Sequence, residues 1–137
     1  MREIIFRGKR LNDGEWVEGN LFIPDKPDTP TQICIGTNVV RISYDVDPST
    51  IGSYTGLTDK NGKKIFEGDI IKYKNTDGIK FNGVALTVIG KVIYNEKNAS
   101  FAISGKDEIG AKHYDYFPIK NIEVIGNIFD NPEILKG

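Results

Sequence analysis

The sequence predicts an all-β fold, and three observations carry that expectation. Isoleucine, valine, tyrosine and phenylalanine dominate the apolar residues, and these side chains suit the pleated, half-buried surface of a strand. Fifteen glycines and few alanines argue against long helices. Turn signals recur so often that the 137 residues divide into about ten short strands. The expected arrangement is two small β lobes. The C-terminal lobe has the cadence of an SH3-like barrel, in which closure removes exposed edges, and ends in a short helical turn. The lobes are expected at 1–46 and 65–137, joined by a connecting turn segment at 47–64, or merged into one composite domain.

The elements follow in order. Residues 2–8 form a short strand with Ile4 and Phe6 on one face, and Asp13-Gly14 turns the chain. Val17, Leu21 and Ile23 then repeat at the strand period over 15–23, which makes an N-terminal hairpin. Three prolines within Pro24–Pro30 cannot supply the amide donors of a central strand, so this stretch is a loop. Strands fit 31–35 and 38–44, turned at Gly36, and Asp47-Pro48-Ser49-Thr50 makes a turn or a single helical turn. Asn61-Gly62 marks a tight hairpin turn of the primed type, with positive φ at Gly62.

After that turn, Gly68-Asp69 opens a strand through Tyr73, and Asn75–Gly78 is a loop. The longest apolar run, Val84–Tyr94, contains Gly90, which inside a strand pattern signals a bulge or sharp bend. Asn95–Asn98 turns the chain before Phe101 and Ile103, and residues 104–113 form a polar excursion. Ile122–Ile128 is the last strand. Asn131-Pro132 then starts a helical turn, with asparagine as its cap and proline at its first position.

Composition narrows the function classes. The formal net charge is -1, without the basic excess common in nucleic-acid modules. No apolar run approaches the roughly 20 residues of a spanning helix, so no membrane partner is expected. Cys34 is the only cysteine, which excludes an intrachain disulfide and fits a reducing, cytoplasmic setting.

No set of residues spells out a reaction, so no enzymatic activity, catalytic residue, metal site or cofactor is expected. Asp59, Glu67 and Asp69 raise an acid–base or cation reading, yet no histidine or ligand spacing accompanies them. The better account is that Asp59 shapes the turn and Asp69 holds a nearby backbone group. Asp45 and Asp47 pose the same question, and a turn-starting aspartate answers it. His113, the single histidine, is expected on an exposed loop, and Cys34 in a buried strand as an inert thiol. Trp16 is expected to close the N-terminal core beside Val17, and Asn61, Gly62, Gly68 and Asp69 to be structural. Lys60, Lys63, Lys64, Lys72 and Lys74, with Tyr54, Phe66 and Tyr73 among them, offer charge and stacking for a single-stranded nucleic acid. A solvated turn over core aromatics is the favoured account of the same residues.

A dispersed set of short motifs resembles the YopX family of phage and prophage proteins. The start supplies Arg2-Glu3-Ile4, Phe6-Arg7-Gly8, Gly14-Glu15-Trp16-Val17 and Gly19. The centre supplies Val46, Pro48, Thr50-Ile51-Gly52, Tyr54-Thr55-Gly56-Leu57, Asp59-Lys60-Asn61-Gly62 and Glu67-Gly68-Asp69-Ile70. The end supplies Glu123–Ile128 and Asn131-Pro132-Glu133. Phe66 and Phe129 stand where the family commonly has tyrosine. The resemblance implies a phage- or prophage-encoded all-β protein that self-associates, and it implies no activity. The expected function is therefore non-catalytic binding or self-assembly in the host cytoplasm, with a second copy, a phage protein or a host protein as partner. Nucleic-acid binding through the five lysines is the alternative.

Overall fold

The computed structural model describes residues 3–37, 39–81, 83–116 and 121–136, apart from the side chains of 75–81, 115 and 116. The expectations placed on Arg2 and residue 38 lie outside the described residues. The fold is all-β, with two antiparallel sheets and short 3₁₀ turns at Pro48–Thr50 and Pro132–Leu135. No described helix is long and apolar enough to cross a membrane. The chain divides into two compact units, Met1–Gly56 and Leu57–Gly137.

In the first unit, β1 (Phe6–Lys9), β2 (Trp16–Phe22), β3 (Gln32–Gly36) and β4 (Arg41–Asp45) form a meander, and β5 (Gly52–Thr58) adds beside β1. Period-two alternation turns Val17 and Ile33 inward, where they meet Val46, with Leu21, Tyr44 and Ile51 packed around them. Trp16 points the other way. It is half-buried beneath the Arg7 guanidinium, 4.6 Å from its ring centre, and Lys9, 5.5 Å away, instead of joining that cluster. Asp47 accepts from the Ser49 N–H at 3.0 Å and so starts the first 3₁₀ turn, as expected of a turn aspartate.

β5 runs past Gly56 into the second unit, where the Asp59–Lys63 turn leads to β6 (Lys64–Phe66). The turn differs from the primed type. Gly62 has φ +81°, but Asn61 is not at positive φ. Asp59 N–H donates to Lys63 O at 2.7 Å and Gly62 N–H to Asp59 O at 3.0 Å. This is a three-residue hairpin loop closed by a left-handed glycine, the second favoured solution for strands of right-handed twist.

The second sheet has the order β10-β9-β8-β7-β11, formed by β7 (Asp69–Phe81), β8 (Val84–Asn95), β9 (Ser100–Asp107), β10 (Lys112–Tyr116) and β11 (Glu123–Asn127). It is an open sheet and not the barrel its cadence suggested. β11 returns to pair with β7, β10 pairs with β9, and both stay at the edges. Its core is Ile65, Ile71, Tyr73, Val88, Val92, Ile103 and Ile122.

Further differences from the sequence reading have local causes. The Asn75–Gly78 segment does not interrupt the strand. β7 absorbs it as a register shift between Asn75 and Lys80. Gly90 pairs regularly with Ile71 and Gly105 instead of making a bulge. A glycine is needed there because a Cβ would lie 2.7 Å from Ser104 O and 2.9 Å from Gly105 Cα. The polar stretch 104–113 is a hairpin, not an excursion. Asn131 stands at the N-cap of the last 3₁₀ turn with Pro132 after it, as expected, but its side chain makes no capping bond: its Oδ1 accepts from Asn127 N–H at 3.3 Å, over Gly126.

Candidate functional site

Two of the three candidate carboxylates of the second unit, Asp59 and Asp69, hold backbone. Asp59 is 7% exposed. Its Oδ1 accepts from the N–H groups of Asn61 and Lys63 at 2.8 and 2.9 Å, and its Oδ2 accepts from Val124 N–H at 3.0 Å. Burial pushes this carboxyl up, but the N–H groups of Val124, Lys63 and Asn61 outweigh it and hold the group below its ordinary range. Asp69 is buried and accepts from Phe66 N–H at 2.8 Å across the turn that contains Gly68, at φ +92°. Among the described residues, no three His, Cys, Asp or Glu side chains gather as a metal site.

Cys34 is buried, with Sγ 3.2 Å from Ser43 Oγ. His113 is not on an exposed loop. It lies in β10 with its side chain 17% exposed, and Nε2 is 2.8 Å from Asp107 Oδ2. That contact chiefly holds the Asp107 carboxyl low, against burial, and Ala111 and Ile109 N–H add to it. Asp107-Glu108-Ile109-Gly110-Ala111 repeats the Asp59–Lys63 turn bond for bond. Asp107 N–H donates to Ala111 O at 2.9 Å and Gly110 N–H to Asp107 O at 3.0 Å, with Gly110 at φ +85°. Asp107 Oδ1 accepts from Ile109 and Ala111 N–H.

The five lysines raised by the sequence are only partly brought together. Lys60 and Lys72 converge on Glu123, at 3.1 and 3.9 Å, which neutralises part of their charge. Lys74 shares the outer face of β7 with Lys72; the Glu108 carboxyl is held low first by its hydrogen bonds to Thr87 and then, against burial, by the Lys74 charge. Lys63 and Lys64 sit at and just after the turn. Tyr54, Phe66 and Tyr73 are buried at 7, 2 and 3% exposure, so they offer no surface on which a base stacks.

A groove of about 460 Å³ lies on the outer face of β8, β9 and β10, beside the last 3₁₀ turn. Ile89 lines it with Ile134 and Leu135. Register builds its charge. Lys72 of β7 pairs with Ile89, Ile89 with Lys106, and Lys106 with Lys112, while Lys91 pairs with Ser104 one step along the strands. Lys91, Lys106, Lys112 and Lys136 therefore line one groove. Sequence reading missed this set because its members are scattered over the 46 residues from Lys91 to Lys136. The signal was the Asp-x-x-Gly turn at Asp107, which places residue 106 opposite residue 112.

Comparison with known proteins bears on the whole chain. The family model described as YopX protein matches residues 5–136. The chain belongs to the YopX family. No curated protein matches it. Among solved structures, the crystal structure of protein EF1440 from Enterococcus faecalis is similar at 21% identity and a TM-score of 0.48, covering 99% of this chain and 100% of that one. The family motifs now have structural roles. Asp59 and Gly62 build the first Asp-x-x-Gly turn, and Gly68 and Asp69 build the entry to β7.

Proposed function

We propose that this YopX-family chain is a phage- or prophage-encoded, non-catalytic protein that works in the host cytoplasm by binding, first of all to a second copy of itself. The observation that carries self-association is the β4 edge. β4 is the outermost strand of its sheet. Val46 N–H and Val40 O bond toward the β3 side, to Thr31 O and Thr37 N–H. By strand alternation, the backbone groups of Arg41 and Ser43 point away from β3. Beside this edge Val39 is 92%, Val40 70% and Ile42 55% exposed.

An edge strand with exposed apolar side chains is a template for pairing with another chain. Two antiparallel copies of β4 related by a two-fold axis place Ile42 against its own counterpart, so one patch serves both partners. The non-catalytic reading draws support from the acidic side chains, since Asp59 and Asp69 are occupied by backbone N–H groups.

Sedimentation velocity at several concentrations tests the proposal. The wild-type chain is expected to form a discrete oligomer. Ile42→Lys, which sets two like charges face to face across the pair, is expected to yield the monomer with unchanged circular dichroism. A wild-type monomer at the highest concentration, or an Ile42→Lys variant that associates as the wild type does, would overturn the assignment.

A further inference from the structure

We infer that the lysine groove of the second unit binds a ligand carrying several phosphates in a row, a chemistry shared by a single-stranded nucleic acid and a short linear polyphosphate. Charge carries the argument first. Lys91, Lys106, Lys112 and Lys136 line the groove, and none makes an ion pair with the described residues. Lys106 and Lys112 stand directly opposite each other on β9 and β10. Like charges in that position destabilise a sheet unless a counter-charge sits between them.

Two carboxylates also line the groove, Asp107 and Glu108, and neither is ion-paired with these four lysines. Asp107 is held by His113 and by two backbone N–H groups, and Glu108 accepts from Thr87 N–H at 2.7 Å. The pattern contrasts with Lys60 and Lys72, which meet Glu123. A chain of net charge -1 thus gathers four lysines against two carboxylates in one concavity, a local excess of positive charge.

Spacing argues for a row of phosphates over a single ion. Neighbouring strands lie about 4.8 Å apart, and two residues along a strand span about 6.8 Å. From these values the backbones carrying Lys112 and Lys106 are separated by about 5 Å, and those carrying Lys106 and Lys91 by about 8 Å. Backbones so far apart let the flexible ammonium groups reach more than one phosphate of a chain. Lysine ammonium groups recognise phosphate as point charges and leave the ligand free to slide. Ile89, Ile134 and Leu135 supply an apolar wall but no aromatic stacking platform. Any strand bound here is therefore read by its backbone, without sequence preference. This inference is independent of self-association through β4.

The test is a titration of the full chain with two probes, a fluorescent 20-mer of thymidine and inorganic tripolyphosphate, at two salt concentrations. Lys106→Gln/Lys112→Gln and Lys91→Gln/Lys136→Gln are compared with Lys63→Gln/Lys64→Gln, whose lysines lie outside the groove lining. All these side chains are at least partly exposed, and circular dichroism checks that each variant is folded. Binding of at least one probe is expected at low salt, weakened about tenfold or more by either groove variant and little by the control. For the oligonucleotide, the slope of log affinity against log salt should fall by about 1.4 when two phosphate contacts are removed. A groove-dependent signal with the 20-mer alone assigns the strand as ligand. The same signal with tripolyphosphate alone assigns the short anion. Absence of binding by both probes at low salt, or binding that the groove variants and the control alter equally, would overturn the inference.

Discussion

Replacing Asp59 offers the sharpest test of how the second unit is held together. Its carboxylate ties the β5–β6 turn to β11 through three backbone N–H groups. A hydrogen bond to a charged group contributes about 1.5–3 kcal/mol, and an orphaned buried donor loses its hydration as well. The three bonds do not contribute equally. Asn61 and Lys63 are exposed, so water replaces much of what their N–H groups lose. Val124 N–H is partly buried in β11 and has less access to water. Asp59→Ala should therefore cost about 3–4 kcal/mol rather than the sum of three full bonds. Asp59→Asn keeps an acceptor for the turn but presents either an NH₂ or a weaker neutral oxygen to Val124, and should cost about 2 kcal/mol.

The pH dependence is a second reading of the same bonds. The folded-state Asp59 carboxyl lies below its ordinary value. Between the folded and unfolded values the unfolded chain binds more protons, so stability rises with pH in that window. The contribution is complete above about pH 5 and is lost as pH falls through the folded value. Urea denaturation from pH 7 to pH 2.5 should show the gap between wild type and Asp59→Asn shrinking as acid is added. A gap under about 0.5 kcal/mol at pH 7, or one that stays constant into acid, would refute the assigned role.

Two further outcomes follow from packing. Gly105→Ala should cost more than about 3 kcal/mol in urea denaturation, because the new Cβ would meet Ile89 O at 2.2 Å and Gly90 Cα at 2.5 Å, both backbone atoms. Gly62→Ala has open space and should cost only about 1–2 kcal/mol, from its positive φ. The reverse order would show that the Gly90–Gly105 contact is not tight. Cys34 should label slowly with a thiol reagent in the native protein and rapidly after unfolding. Fast native labelling would contradict its burial beside Ser43.

The all-β class was legible because period two leaves a plain mark: Val17 and Leu21 in β2, and Leu86, Val88 and Val92 in β8, all face inward. The backbone role of Asp69 was legible as well, because a short acidic side chain beside a turn glycine has N–H groups within reach. What failed was closure and register. A strand cadence does not say whether the two outer strands of a sheet meet, and here β10 and β11 stay at opposite edges. His113 looked like a loop residue because its neighbours Gly110 to Lys112 are polar or small. Polarity there reflects a hairpin whose edge strand faces water, and the side chain turns in toward Asp107.

The two Asp-x-x-Gly turns show how much local chemistry decides. At Asp59 and at Asp107 the first carboxylate oxygen accepts two N–H groups of its own turn, which leaves the second oxygen free for a tertiary partner. That partner is Val124 N–H in one case and His113 in the other. The same turn thus fixes two different things. The first joins the strand hairpin at Asn61-Gly62 to the edge strand β11. The second sets the register of β9 against β10 and so brings Lys106 opposite Lys112. A one-residue slip there would send the side chains of one strand to the other face of the sheet and break up the lysine row. The recurrent aspartate and glycine specify the fold, and through register they also set the charge that the fold presents.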